Sequence, residues 1–151
     1  MRGDRGFRIS IRQKPAPVPF SGKAIRALVR RALEAMDAPS CDLRILVVGD
    51  AEMARWNERF MGHEGTTNVI SFPDEEPVEG ETRRVEGDIL LSAPTCLAQT
   101  AGWNGTPEER VFFFLLHGML HLVGHDHVGD RAQARRMRSR ELKIYRALIP
   151  A

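Results

Sequence analysis

With 151 residues, 42% of them apolar and 28% charged, the chain has the make-up of a single globular domain long enough to bury a core. A net charge of +2 rules out inferring a nucleic-acid partner from total charge, so any such partner must be argued from where the cations sit. Cys41 and Cys96 lie far apart and form no C-x-x-C pair, which gives no sign of a disulfide framework or a thiolate zinc site and suits a reducing cytosol.

The opening M-R-G-D-R-G-F-R is charged and leads into no apolar segment, so no signal peptide is expected. Residues 7–12, F-R-I-S-I-R, alternate apolar and polar with the period of a half-buried strand. The proline-rich K-P-A-P-V-P-F that follows is read as a loop, because proline removes ladder donors. Ser21 opens a helix running to about Met36, with Ile25, Leu28, Val29, Ala32 and Leu33 on one face. Pro39 ends that region. Cys41 to Val48 is a second strand, so nearly continuous in apolar residues that a central place in the sheet is expected. Gly49-Asp50 then turns into a short helix, A-E-M-A-R-W-N-E-R-F, with Asp50 as its expected N-cap.

A polar, glycine-rich loop, M-G-H-E-G-T-T, leads to a third strand from Asn68 to Phe72 that stops at Pro73. Residues 74–86 are the most polar segment and read as an exposed excursion, with Val85 available to begin the next strand. Gly87 to Ser92 is the fourth strand and Ala93 to Gly102 a further helix. Thr106-Pro107-Glu108-Glu109 is a strong helix start, with Thr as N-cap, Pro in the first turn and Glu at the capping-box position. That helix should run through F-F-F-L-L-H-G-M-L-H-L and stop near Gly124, and a last helix from about Asp130 to Leu148 closes the chain. Phe112, Phe113 and Phe114 point in different directions on a helix and are read as core rather than as base-stacking groups.

There is no internal repeat and no linker, so residues 1–151 are read as one domain. The longest apolar run, Val111 to Leu116, is far too short to span a bilayer, and a cytoplasmic protein without membrane contact is expected. Strands and helices alternate without a strict βαβ rhythm, which predicts an α+β fold with a small mixed sheet.

Chemistry is concentrated in H-G-M-L-H-L-V-G-H-D-H, residues 117–127, which holds four of the five histidines. His117 and His121 are four apart on a well-signalled helix, so both imidazoles leave one face a turn apart. Gly124 lets the chain turn back, and His127 returns a third nitrogen. A lone histidine on an apolar helix is usually a satisfied core residue; an i, i+4 pair with a third after a glycine turn points to a metal ion instead. Three neutral imidazoles leave the ion its full charge and a fourth position open to water. His125 is expected to face substrate or to support a ligand from behind, and Asp126 could orient an imidazole through its other ring nitrogen.

The spacing H-x3-H-x2-G-x2-H is that of metzincin peptidases, but these carry glutamate directly after the first histidine as general base. Here that position is Gly118, so the peptidase reading lacks its proton shuttle.

The same stretch resembles the signature of the YbeY endoribonucleases, H-G-x-L-H-L-x-G-Y-D-H. Two further blocks in the same order strengthen the resemblance. T-N-V-I-S-F-P at 67–73 is similar to T-[D/N]-V-L-S-F, and G-D-I-L-L-S at 87–92 is similar to G-D-I-x-[I/L]-S. The resemblance implies helices packed on a mixed four-stranded sheet and one zinc ion per chain held by His117, His121 and His127. It also implies cleavage of single-stranded RNA in rRNA maturation and ribosome quality control, with rRNA and the ribosome or its small-subunit proteins as partners. No catalytic side chain is implied beyond the metal's water. Either the RNA's own 2′-hydroxyl or a metal-bound hydroxide could attack, and in both cases the metal can stabilise the developing charge without a glutamate at Gly118.

Two positions depart from the family pattern. His125 stands where the family has tyrosine, and Met61 stands where it has an arginine that contacts phosphate, with His63 at a lysine position. Methionine cannot make a bidentate phosphate contact. His63, His125 and Arg59 are therefore candidates for that role, and Asn68 and Ser71 could face the cleft from their strand; for both, a cross-strand or turn hydrogen bond is the competing reading. The last helix carries Arg131, Arg135, Arg136, Arg138, Arg140, Lys143 and Arg146 against one acid, Glu141, and reads equally as a solvated face or an RNA contact. Two alternatives to the nuclease stand: a ribosome-associated RNA-binding factor whose metal is structural, and a metallopeptidase.

Overall fold

A computed structural model describes residues 6–14, 20–75, 84–124 and 131–150. In chain order the elements are β1 (Phe7–Gln13), α1 (Gly22–Ala35), β2 (Cys41–Val48), α2 (Asp50–Trp56), β3 (Val69–Pro73), β4 (Val85–Ser92), α3 (Ala93–Gln99), α4 (Pro107–Leu122) and α5 (Arg131–Leu148). The strands form one sheet in the order β1-β2-β4-β3. β1, β2 and β4 run parallel, and β3 pairs antiparallel with β4. Helices on a mixed four-stranded sheet make the α+β architecture expected from the sequence, with β2 inside the sheet.

The period of two along each strand sorts the side chains between two faces. Cys41, Leu43, Ile45 and Val47 of β2, with Val85, Ile89 and Leu91 of β4, enter the main core together with α1 and α4. The alternate residues Val48 and Leu90 join Ile70 and Met53 in a smaller core beneath α2 on the other face. Fully burying a side chain of this size is worth about 1.5–3 kcal/mol, so the first face carries most of the stability.

α1 is a one-sided helix: Ile25, Leu28, Val29, Ala32 and Leu33 are buried, and the Ser21 hydroxyl accepts from the Ala24 N–H at 3.1 Å. α4 is buried almost all round, from Val111 to Leu122, and lies between the sheet and α1, α3 and α5. Its start is the capping box that Thr106 and Glu109 signal: each side chain meets the other's backbone N–H, at 3.1 and 2.7 Å.

Several boundaries differ from expectation. Asp50 is not the cap of α2 but its first residue; Gly49 precedes it, and the Asp50 carboxylate instead accepts from Ser92 Oγ at 2.5 Å and Thr95 Oγ1 at 2.6 Å. A tertiary partner has outcompeted the local one. The second half of the predicted short helix widens into a π-helical turn, Asn57–Met61, which ends on Gly62 with φ 69°. β3 begins at Val69 rather than Asn68 and includes Pro73, which a sheet edge tolerates because one side of the strand needs no ladder donor. β4 takes in Val85, the start the sequence had allowed, whereas α3 stops at Gln99, short of Gly102. Most of the proline-rich loop, the centre of the polar excursion and Asp130 lie outside the described residues.

Candidate metal centre

α4 brings its histidines to one point. His117 Nε2 and His121 Nε2 lie 2.9 Å apart, with ring centroids separated by 4.6 Å. Two nitrogens held about 2.0–2.1 Å from one tetrahedral ion would stand roughly 3.3 Å apart, so a small opening of this pair accommodates an ion. The other ring nitrogen of His117, Nδ1, is 2.6 Å from Glu141 Oε1 on α5. A carboxylate can only accept, so Nδ1 carries the proton and Nε2 presents a lone pair, which accepts from the His121 Nε2–H. Donor type, spacing and the His117 tautomer fit a metal ion, and His121 would ligate through Nε2 once its proton sits on Nδ1 instead. Among the described residues no group of three or more His, Cys, Asp or Glu is assembled to hold one, and the third expected ligand, His127, lies outside them together with His125 and Asp126.

Glu141 is the residue that sequence reasoning missed. In the sequence it is the lone acid of a cationic helix, yet it is 5% exposed, on the inward stripe with Met137 and Ile144. A carboxylate one turn from Met137 on an apolar stripe is the signal that could have found it.

Gly118 answers a steric demand. A Cβ there would stand 2.9 Å from Ser71 Oγ and 3.2 Å from both Ile89 Cγ2 and Val69 Cγ2. α4 touches the sheet at this turn, and a side chain after the first histidine must push its neighbours aside, the more so the larger it is. The zincin glutamate is thus excluded by packing as well as by sequence.

The remaining candidates separate. The Ser71 hydroxyl donates to the Gly118 carbonyl at 3.1 Å, and the Asn68 amide, just before β3, donates to Gln99 Oε1 at 2.8 Å, so both tie this edge of the sheet to neighbouring helices. These bonds run to helices α4 and α3 and are neither the cross-strand nor the turn bonds that the sequence suggested. Arg59 sits on the π-helical turn with its guanidinium 5.4 Å from the Phe60 ring centroid. His63 is exposed, its backbone N–H donating to the Asn57 carbonyl at 3.3 Å. Neither side chain hydrogen-bonds to His117 or His121. Met61 is 51% exposed and Phe60 50%, the latter stacked on Trp56 at 4.9 Å. On α5, Arg135, Arg136, Arg138, Lys143 and Arg146 are exposed, while Glu141 on the same helix faces the histidines.

The thiols take no part. Cys41 and Cys96 are free and buried, and burial pushes both up, Cys96 to about 12. They are protonated at neutral pH and poor ligands or nucleophiles.

The family description Endoribonuclease YbeY matches residues 8–149. The chain belongs to the YbeY family. Endoribonuclease YbeY of Geobacter sulfurreducens is 33% identical over 144 residues, covering 94% of this chain and 96% of that protein. Its namesake from Methylococcus capsulatus is 36% identical over 137 residues, covering 91% and 87%. The solution structure of TM1509 from Thermotoga maritima superposes with a TM-score of 0.62 at 22% identity, covering 93% of this chain and 88% of that one, and speaks for the fold. YbeY membership agrees with the three sequence blocks, which meet in space: Ser71 of T-N-V-I-S-F-P and Ile89 of G-D-I-L-L-S both stand against Gly118 of the histidine block.

Proposed function

We propose that this chain is a zinc-dependent endoribonuclease that cleaves single-stranded RNA in rRNA maturation and ribosome quality control, acting in the cytoplasm with the ribosome or its small-subunit proteins as partners. Family membership supports the reaction class. The observation that carries the site is the meeting of two imidazole Nε2 atoms at 2.9 Å above a glycine that admits no carboxylate. His117, His121 and His127 would hold one zinc ion. When bound, it supplies positive charge to a phosphodiester oxygen and lowers the pKa of water. The chain's own part is to hold His117 and His121 rigid on a buried helix and to keep His117 in one tautomer. Because the RNA brings its 2′-hydroxyl, Gly118 costs the reaction nothing.

Substrate grip needs cations, and Met61 supplies none. The exposed arginines of α5 take the phosphates, with Arg59, His63 and His125 supplementing them and Asp126 steadying an imidazole. Alanine at both His63 and His125 should weaken RNA affinity and slow cleavage; unchanged values would remove them from the site. Met61 also favours a second reading, an RNA-binding ribosome factor whose metal only braces α4. Cleavage of single-stranded RNA by wild-type protein, chelated protein and His121→Ala separates the two. Activity lost only in the latter two supports the enzyme; no activity in any, with RNA still bound, supports the binding factor. No helix among the described residues is long and apolar enough to cross a membrane.

A further inference from the structure

Glu141 is an odd choice for its place in the fold. The inward stripe of α5 is otherwise apolar, with Met137 and Ile144 buried and Tyr145 packed on Phe112 at 6.2 Å between rings. The Tyr145 hydroxyl also donates to the Glu109 carbonyl at 3.1 Å, so α5 is docked on α4 independently of Glu141. A buried carboxylate is costly to desolvate, and an apolar residue of similar volume would serve folding as well or better. Its side chain is 7% exposed, and among the described residues its one hydrogen-bond partner is His117 Nδ1, at 2.6 Å.

Resting on the metal reading above, we propose that Glu141 is the positioning residue of the centre: it fixes the ring of His117 with Nε2 unprotonated and makes that nitrogen a stronger donor. A neutral imidazole can carry its proton on either nitrogen, and only the Nδ1–H form offers Nε2 to an ion. An anionic acceptor on Nδ1–H selects that form, restrains rotation of the ring and raises its basicity. The negative charge also offsets the cations on the rest of α5, which would otherwise oppose a divalent ion nearby. The last helix thereby becomes part of the metal centre through one hydrogen bond.

Two substitutions test this. Glu141→Leu removes the acceptor while suiting the apolar stripe, and Glu141→Gln keeps size and an acceptor oxygen but not the charge. Zinc affinity is measured by competition with a chromophoric chelator, the tautomer of neutral His117 by ring nitrogen-15 shifts of the metal-free protein, and folding by thermal melting without metal. The expected result for Glu141→Leu is a zinc affinity lower by about 10–100-fold, a His117 ring shifted toward the Nε2–H tautomer, and a metal-free melting temperature no lower than wild type. Glu141→Gln should fall between Leu and wild type in affinity. Affinities of both variants within twofold of wild type, or a His117 that stays in the Nδ1–H form in Glu141→Leu, would overturn the proposal. A melting temperature that falls in Glu141→Leu while affinity holds would make Glu141 structural, and overturn it as well. A wild-type protein that binds no zinc would instead defeat the metal reading itself.

Discussion

Gly118 shows how one residue can carry two messages. In sequence it is a missing carboxylate; in the structure it is the contact point between α4 and the sheet. Replacing it by alanine adds a methyl that Ser71, Ile89 and Val69 must yield to by a few tenths of an ångström. Overpacking of this sort costs about 1–3 kcal/mol, and the better helix propensity of alanine returns about 1 kcal/mol. Gly118→Ala is therefore expected to lose about 1 kcal/mol by urea denaturation. Gly118→Glu should fail to fold rather than gain peptidase activity, and a folded Gly118→Glu variant would refute the packing account.

Asp50 makes a second prediction at this scale. Hydrogen bonds from Ser92, Thr95 and Thr66 hold its carboxyl below the ordinary value of 3.8. A group whose folded pKa is depressed stabilises fully above its unfolded pKa and loses that contribution as pH falls through the folded one. Acid melting below about pH 4 should thus weaken wild type more than Asp50→Asn; parallel curves would show that the bonds are unimportant.

At the scale of elements, α4 is the helix on which the site depends. Its N-terminal capping box lies three turns from His117, so cap and site can be perturbed separately. Thr106→Ala should cost about 1 kcal/mol, or roughly 2–4 °C in melting temperature for a domain of this size. Zinc affinity should not change, because the last turn is held by packing on the sheet and α5. A drop in affinity would mean that cap and site are coupled. The elements also show where local signals were overridden. The capping box read true because all its atoms lie within four residues. Asp50 did not cap, because Ser92 and Thr95 reach it from β4 and α3.

For the whole molecule, the question is how a chain of net charge +2 grips a polyanion. The exposed cations of α5 stand on the helix that also reaches His117, so phosphates along α5 would lead the strand toward the histidines. Reversing Arg135 and Arg138 to glutamate should weaken RNA binding and flatten its dependence on salt. For single strands each lost phosphate contact lowers the slope of log affinity against log salt by about 0.7. An unchanged slope would return α5 to a solvated face.

What the sequence determined by itself is everything carried by near neighbours. Strand alternation, the one-sided pattern of α1, the capping box of α4 and the i, i+4 pair of His117 and His121 depend on backbone periods and on residues a turn apart. The family blocks belong here too, because they are strings. Only the tertiary structure decided the strand order β1-β2-β4-β3, the lack of room at Gly118 and the seat of Glu141 against His117. Each brings together groups dozens of residues apart. No local period encodes such a meeting: it follows from which faces the elements must bury, and that is settled when the core closes.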